Sequence, residues 1–185
     1  MNFDKRSIAL TFGGAASIVT GMNGVHYSLK GSKHEGFSNV KRKKLLGASV
    51  VLAFGGWATF LTSFGIDNPV SDNPHSSDVL AIVSGIAVIL GTMVFFVNYL
   101  KIDPKKWIDY VFYFLLIGGY LTLATFSSFK TDGVEEFNGT KAAFNYPGAV
   151  SAILGTLLFM NNIGMSSALE LGGLMLIGIG HALRP

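Results

Sequence analysis

Apolar positions along the chain fall into long runs separated by short polar stretches. The strongest runs cover residues 45–65, 79–100, 107–126, 147–160 and 165–183, and a milder, glycine-rich stretch extends from Ile8 to about Val25. Runs of about 20 residues, at 1.5 Å of rise per residue, match a hydrocarbon core about 30 Å thick. Lipid offers no partner to an open backbone amide, so such runs fold as helices. The pattern predicts an all-α, polytopic transmembrane helical bundle with five or six spans.

Polar residues mark the expected ends. Asp103 before Pro104 reads as a cap followed by a proline at the first helical position, and Pro147 reads as another helix start. Ser76, Ser77 and Asp78 supply hydroxyls and negative charge to the start of the second strong run. Asn161, Asn162 and Gly164 are turn formers between the last two runs, which favours a tight hairpin over the alternative of one helix broken part-way across. The first stretch follows Lys5 and Arg6 and contains Ala15, Ala16 and Ser17. It reads either as a retained weak span or as a re-entrant, interfacial or removed segment.

Two strings recur. Gly55-Gly56-Trp57-Ala58-Thr59-Phe60-Leu61-Thr62 returns as Gly118-Gly119-Tyr120-Leu121-Thr122-Leu123-Ala124-Thr125. Ile89-Leu90-Gly91-Thr92-Met93-Val94-Phe95 returns as Ile153-Leu154-Gly155-Thr156-Leu157-Leu158-Phe159. The offsets, 63 and 64, fit a tandem duplication of a two-helix hairpin. The chain then divides into an N-terminal weak span with a basic loop (1–44), a first repeat (45–106), a second repeat (107–163) and a last helix (164–185). Copies with an even number of spans share orientation, which implies a pseudo-two-fold axis along the membrane normal. Small residues on these helices, Gly55, Gly56, Ala87, Gly91, Gly118, Gly119, Ser151 and Gly155, are the expected packing positions, because small side chains let helix backbones approach. The pairs Gly13-Gly14 and Gly172-Gly173 fit no common register with the others.

Composition agrees with the pattern. Only 14% of residues are charged and mean hydropathy is +0.48, against about 25% charged for a soluble domain. The chain has no cysteine, which excludes disulfides and thiolate metal sites. Charge placement says more than the net +3. Lys30, Lys33, Lys41, Arg42, Lys43 and Lys44 precede the run at 45, and Lys101, Lys105 and Lys106 precede the run at 107, whereas Asp67, Asp72 and Asp78 lie between. The positive-inside rule then places 31–44 and 101–106 on the cytoplasmic side. Lys41, Arg42, Lys43 and Lys44 are expected to contact anionic headgroups rather than nucleic acid.

Candidate chemistry is sparse. Glu170 lies inside the final run, and an intramembrane carboxyl is a functional candidate by default; the competing readings are a loop residue or a structural partner. Asn98 and Asn162 are equivalent in the duplication, so they would either line a shared vestibule or cap helices. His181 and Asp109 read as interfacial residues. Lys106-Trp107-Ile108-Asp109-Tyr110 resembles the third-helix string of microbial rhodopsins, but no lysine lies inside an apolar run to hold retinal. Asn138-Gly139-Thr140 is an N-glycosylation acceptor triplet. No catalytic, cofactor or metal motif is found. The expectation is a non-catalytic structural or assembly protein, a small subunit of a larger membrane-associated complex; the alternative is a small-solute or ion conduit.

Overall fold

The computed structural model describes residues 2–3, 5–30, 38–65, 76–99, 106–130, 136–159 and 161–184. Among these the chain forms six helices: α1 (Lys5–Lys30), α2 (Asn39–Gly65), α3 (Ser76–Tyr99), α4 (Lys106–Phe126), α5 (Gly139–Leu158) and α6 (Ile163–Ala182). Four of them, α1, α2, α4 and α6, are long and apolar enough to cross a membrane, and α3 carries a shorter apolar segment, Val79–Phe95. Two minimal antiparallel ribbons complete the fold. In the first, β1 (Asn2–Phe3) pairs with the last strand (Leu183–Arg184); in the second, Phe129–Lys130 pairs with Glu136–Phe137.

The helices alternate in direction. Gly14 meets Gly56 and Phe60 while Gly21 meets Ser49 and Ala53, which runs α1 against α2. Gly91 and Gly119 set α3 against α4 in the same way, and Gly148 and Gly155 set α5 against α6. These three hairpins are the most closely packed pairs, and α6 returns to pack on α1. The pairing of β1 with the C-terminal strand fastens that closure. One end of the bundle therefore carries both ribbons, and the other carries the basic start of α2 and the turn at Asn161 and Asn162.

Glycine explains why the hairpins close so tightly. In each of α2, α4 and α6 a Gly-Gly pair is followed by a core residue: Gly55-Gly56-Trp57, Gly118-Gly119-Tyr120 and Gly172-Gly173-Leu174. The first glycine of each pair has open space where a side chain would be. The second lies against the preceding helix, so that a Cβ on Gly56 would sit 2.6 Å from the Ile18 nitrogen and one on Gly173 would sit 2.5 Å from the Ala152 nitrogen. The third residue is fully buried in all three.

This corrects the expected packing set: Gly56, Gly91, Gly119 and Gly155 make close contacts, whereas Gly55 and Gly118 do not. Ala87 is half-buried, and Ser151 acts through a hydrogen bond from its hydroxyl to the Leu169 carbonyl (2.8 Å). Gly172-Gly173, out of register by sequence offset, occupies the same place in its hairpin as the other two pairs. The tight pairs run across the boundaries at 45–106 and 107–163, because α1 belongs with α2 and α3 with α4.

The N-terminal stretch is no loose appendage. Ala15, Ile18 and Met22 of α1 are almost completely buried in the same core as Trp57, Phe60, Leu116 and Ile177. The α5 start also differs from expectation. Asn138 caps the helix, accepting from the Thr140 and Lys141 amides, and Pro147 lies inside it. Proline removes one backbone donor there. The turn at Asn161 and Asn162 forms as expected, with the Asn162 side chain capping α6 through the Met165 amide. The expected starts at Asp103 and Pro104, and the loops holding Lys33, Asp67, Asp72, Lys101 and Lys105, lie outside the described residues.

Candidate functional site

Glu170 lies on α6, seven residues and therefore about 10 Å along the axis from Ile163, and it is 2% exposed. It is not a loop residue. Gly155 of α5 lies against its backbone; a Cβ there would be 2.9 Å from the Glu170 Cβ. From α4 comes Tyr120 and from α5 Thr156, at 0% and 1% exposure. The Thr156 hydroxyl donates to the Ala152 carbonyl (3.0 Å). No close hydrogen-bond partner meets the Tyr120 hydroxyl. Three helices thus each bury an oxygen-bearing side chain in the core: Tyr120 from α4, Thr156 from α5 and Glu170 from α6.

Toward the ribbon end the core is closed by large side chains. Tyr120 packs on Trp57 (ring centroids 6.2 Å apart), Trp57 on Phe60 (5.7 Å), Phe60 on Phe64 (5.5 Å) and Phe64 on the His181 ring (4.3 Å). Leu174 and Ile177, both 0% exposed, fill the α6 side. Toward the other end a second aromatic cluster, Phe95 with Phe112 (5.1 Å) and Phe159 (5.8 Å), fills the core, while Ser166 is buried and the Ser167 hydroxyl reaches Asn23 Oδ1 on α1 (2.8 Å).

A second polar group closes the ribbon end. Lys141, 5% exposed, donates from Nζ to the carbonyls of His181 (3.2 Å) and Phe129 (3.4 Å). Asn145 Nδ2 donates to the Ser128 hydroxyl (2.9 Å), and the Thr11 hydroxyl donates to that of Ser63 (3.2 Å). A lysine at the C-terminal end of α6 meets the carbonyls left open there and the negative end of the helix dipole. His181 is buried against Phe64.

The remaining expected residues separate. Asn162 is an exposed cap, remote from any lumen. Asn98 belongs to α3, but its side chain lies outside the described residues. Lys41, Lys43 and Lys44 are exposed and Arg42 is half-exposed in the first turns of α2, which Ser38 caps. The dipole at a helix start favours acids, so these cations are not there for the helix. Among the described residues, no three of His, Cys, Asp and Glu are grouped to hold a metal ion.

Lys141, Asn145, Tyr120 and Thr156 escaped the sequence reading. The one available signal for Tyr120 was its place after a Gly-Gly pair, the position of Trp57, where a hydroxyl replaces an indole. No protein-family model, curated protein or solved structure matches the chain.

Proposed function

We propose that the chain is a multi-pass integral membrane protein whose six helices all cross the bilayer, built from repeated glycine-faced hairpins. In this reading it serves as a non-catalytic structural or assembly subunit of a larger membrane-associated complex. The observation that carries the reading is the filled centre: Trp57, Phe60, Phe64, Tyr120, Leu174 and Ile177 occupy the axis where a conduit would need a lumen. The outside supports it. Val79, Val83, Ile86, Leu90 and Met93 form one exposed stripe along α3, and Tyr110, Phe114, Ile117 and Leu121 form another along α4. Soluble monomers seldom expose apolar patches of that extent. Lipid tails or neighbouring transmembrane subunits are the partners such stripes fit, with anionic headgroups at Lys41, Arg42, Lys43 and Lys44.

The conduit alternative draws on the polar residues at both ends of the bundle, but the aromatic column from Trp57 to Phe64 stands between them. Blue-native electrophoresis of gently solubilised membranes, beside flux assays on liposomes holding the protein alone, separates the two. Co-migration with a stoichiometric partner and no flux supports the structural role. Selective flux from the isolated protein overturns it.

A further inference from the structure

We propose that the bundle is a fused trimer, three copies of one helical hairpin related by a pseudo-three-fold axis along the membrane normal, and that Glu170 is an addition of the third copy which the fold does not require. The copies are α1–α2, α3–α4 and α5–α6, and each closes on the same backbone contacts. On the first helices, Gly21, Gly91 and Gly155 face the backbone nitrogens of Ala53, Leu116 and Glu170. A Cβ on those glycines would fall 2.5, 3.1 and 2.6 Å away. On the second helices, Gly56, Gly119 and Gly173 face the carbonyl oxygens of Gly14, Ser84 and Gly148, and a Cβ there would fall 2.8, 3.2 and 2.5 Å away. In every copy the two contacts are seven residues apart on the first helix and three apart on the second.

The turns do not impose this register. Gly21 and Gly56 are 35 residues apart, Gly91 and Gly119 are 28 apart, and Gly155 and Gly173 are 18 apart, yet the helices lock at the same place. Matched positions also match in exposure: Gly13, Val83 and Pro147 are exposed, whereas Met22, Thr92 and Thr156 are buried. On the second helices Ser49, Phe112 and Ser166 are all buried, and so are Phe60, Leu123 and Ile177. The copies join one another alike, α2 packing on α3, α4 on α5 and α6 on α1. A head-to-tail contact that closes after three units makes a ring, and the pairing of β1 with the last strand fastens its final seam.

Equivalence separates what the fold needs from what one copy adds. Ala53 and Leu116 hold the place of Glu170, and both are buried. Two hairpins therefore close without a carboxyl at this position. A buried acid that packing does not require is held for another use, and this conclusion does not depend on the subunit role proposed above.

The test exchanges residues between equivalent places in the full-length protein and follows unfolding by sodium dodecyl sulfate. Writing the sequence of 148–159 over 84–95 preserves the register, whereas writing 149–160 over the same places shifts it by one residue and moves the glycine off the contact with α4. The expected result is a cooperative transition near that of the unmodified protein for the first exchange, and a lower midpoint or no transition for the second. Glu170→Leu, which puts the residue of the second copy into the third, should unfold at the same or a higher fraction of dodecyl sulfate. Equal midpoints for the two exchanges, loss of the transition in the in-register exchange, or a lower midpoint for Glu170→Leu overturns the proposal.

Discussion

Replacing Gly173 by alanine should loosen the α5–α6 hairpin, while the same change at Gly172, one residue earlier, should not. A Cβ on Gly173 would lie 2.5 Å from both the Ala152 nitrogen and the Gly148 oxygen, whereas ordinary contact begins near 3.4 Å. Both obstacles are backbone, so no side chain can turn aside, and the helices must separate by nearly 1 Å. A gap of 0.5–1 Å forfeits roughly a quarter to a half of each atom pair's attraction, itself about 0.1–0.2 kcal/mol. Over the few tens of pairs that such a contact holds, the loss is about 1–3 kcal/mol, the usual cost of overpacking. Gly172 has nothing within 4 Å, and alanine is the better helix former by up to about 1 kcal/mol. Unfolding of the detergent-solubilised protein by sodium dodecyl sulfate should give opposite signs for the two variants. The contrast should recur at Gly55 and Gly56. It should be milder at Gly118 and Gly119, where the first obstacle is a Val88 methyl at 2.8 Å. Equal damage from Gly172→Ala and Gly173→Ala would refute the packing argument.

Other consequences are as specific. Lys141→Met removes a charged donor from two carbonyls; it should cost about 1.5–3 kcal/mol and speed proteolysis at Leu183 and Arg184, read by mass spectrometry. Asn162→Ala should lose about 0.5–2 kcal/mol of stability, recovered in Asn162→Asp, because the side chain works as a cap; no recovery would point to another role. The membrane-extracted protein should retain α1 by intact mass, since Ala15, Ile18 and Met22 complete the core; a mass lacking residues 5–30 contradicts this.

The limits of the sequence are physical ones. The expected run at 107–126 matches α4 within one residue, and 79–100 matches α3 within three, because an unbroken apolar run of that length admits few other solutions. The start of α5 was misplaced because Lys141, Asn145 and Pro147 interrupt its run. The partners that make two of those residues tolerable, the His181 carbonyl and the Ser128 hydroxyl, belong to other elements. A sequence shows the cost of a buried lysine but not what offsets it.

The glycine pairs teach a similar lesson. A fixed offset found two of them, but Gly172-Gly173 follows both a shorter helix and a shorter interhelical turn and so falls out of phase. Its equivalence rests on the hairpin to which it belongs, and only packing reveals that. Glu170 was visible as a carboxyl in an apolar run. Tyr120 and Thr156 looked like ordinary members of their helices, and only the packing of the bundle shows that both are buried.

The central proposal is that all six helices cross the membrane as one closed ring, α5 included despite its lysine and proline. The chain has no cysteine, so single cysteines at the exposed positions Ser38, Thr140 and Asn161 can be tested in sealed vesicles with a membrane-impermeant maleimide. The account predicts that Ser38→Cys and Asn161→Cys react from one side and Thr140→Cys only from the other. Labelling of Thr140→Cys and Asn161→Cys from the same side would contradict it.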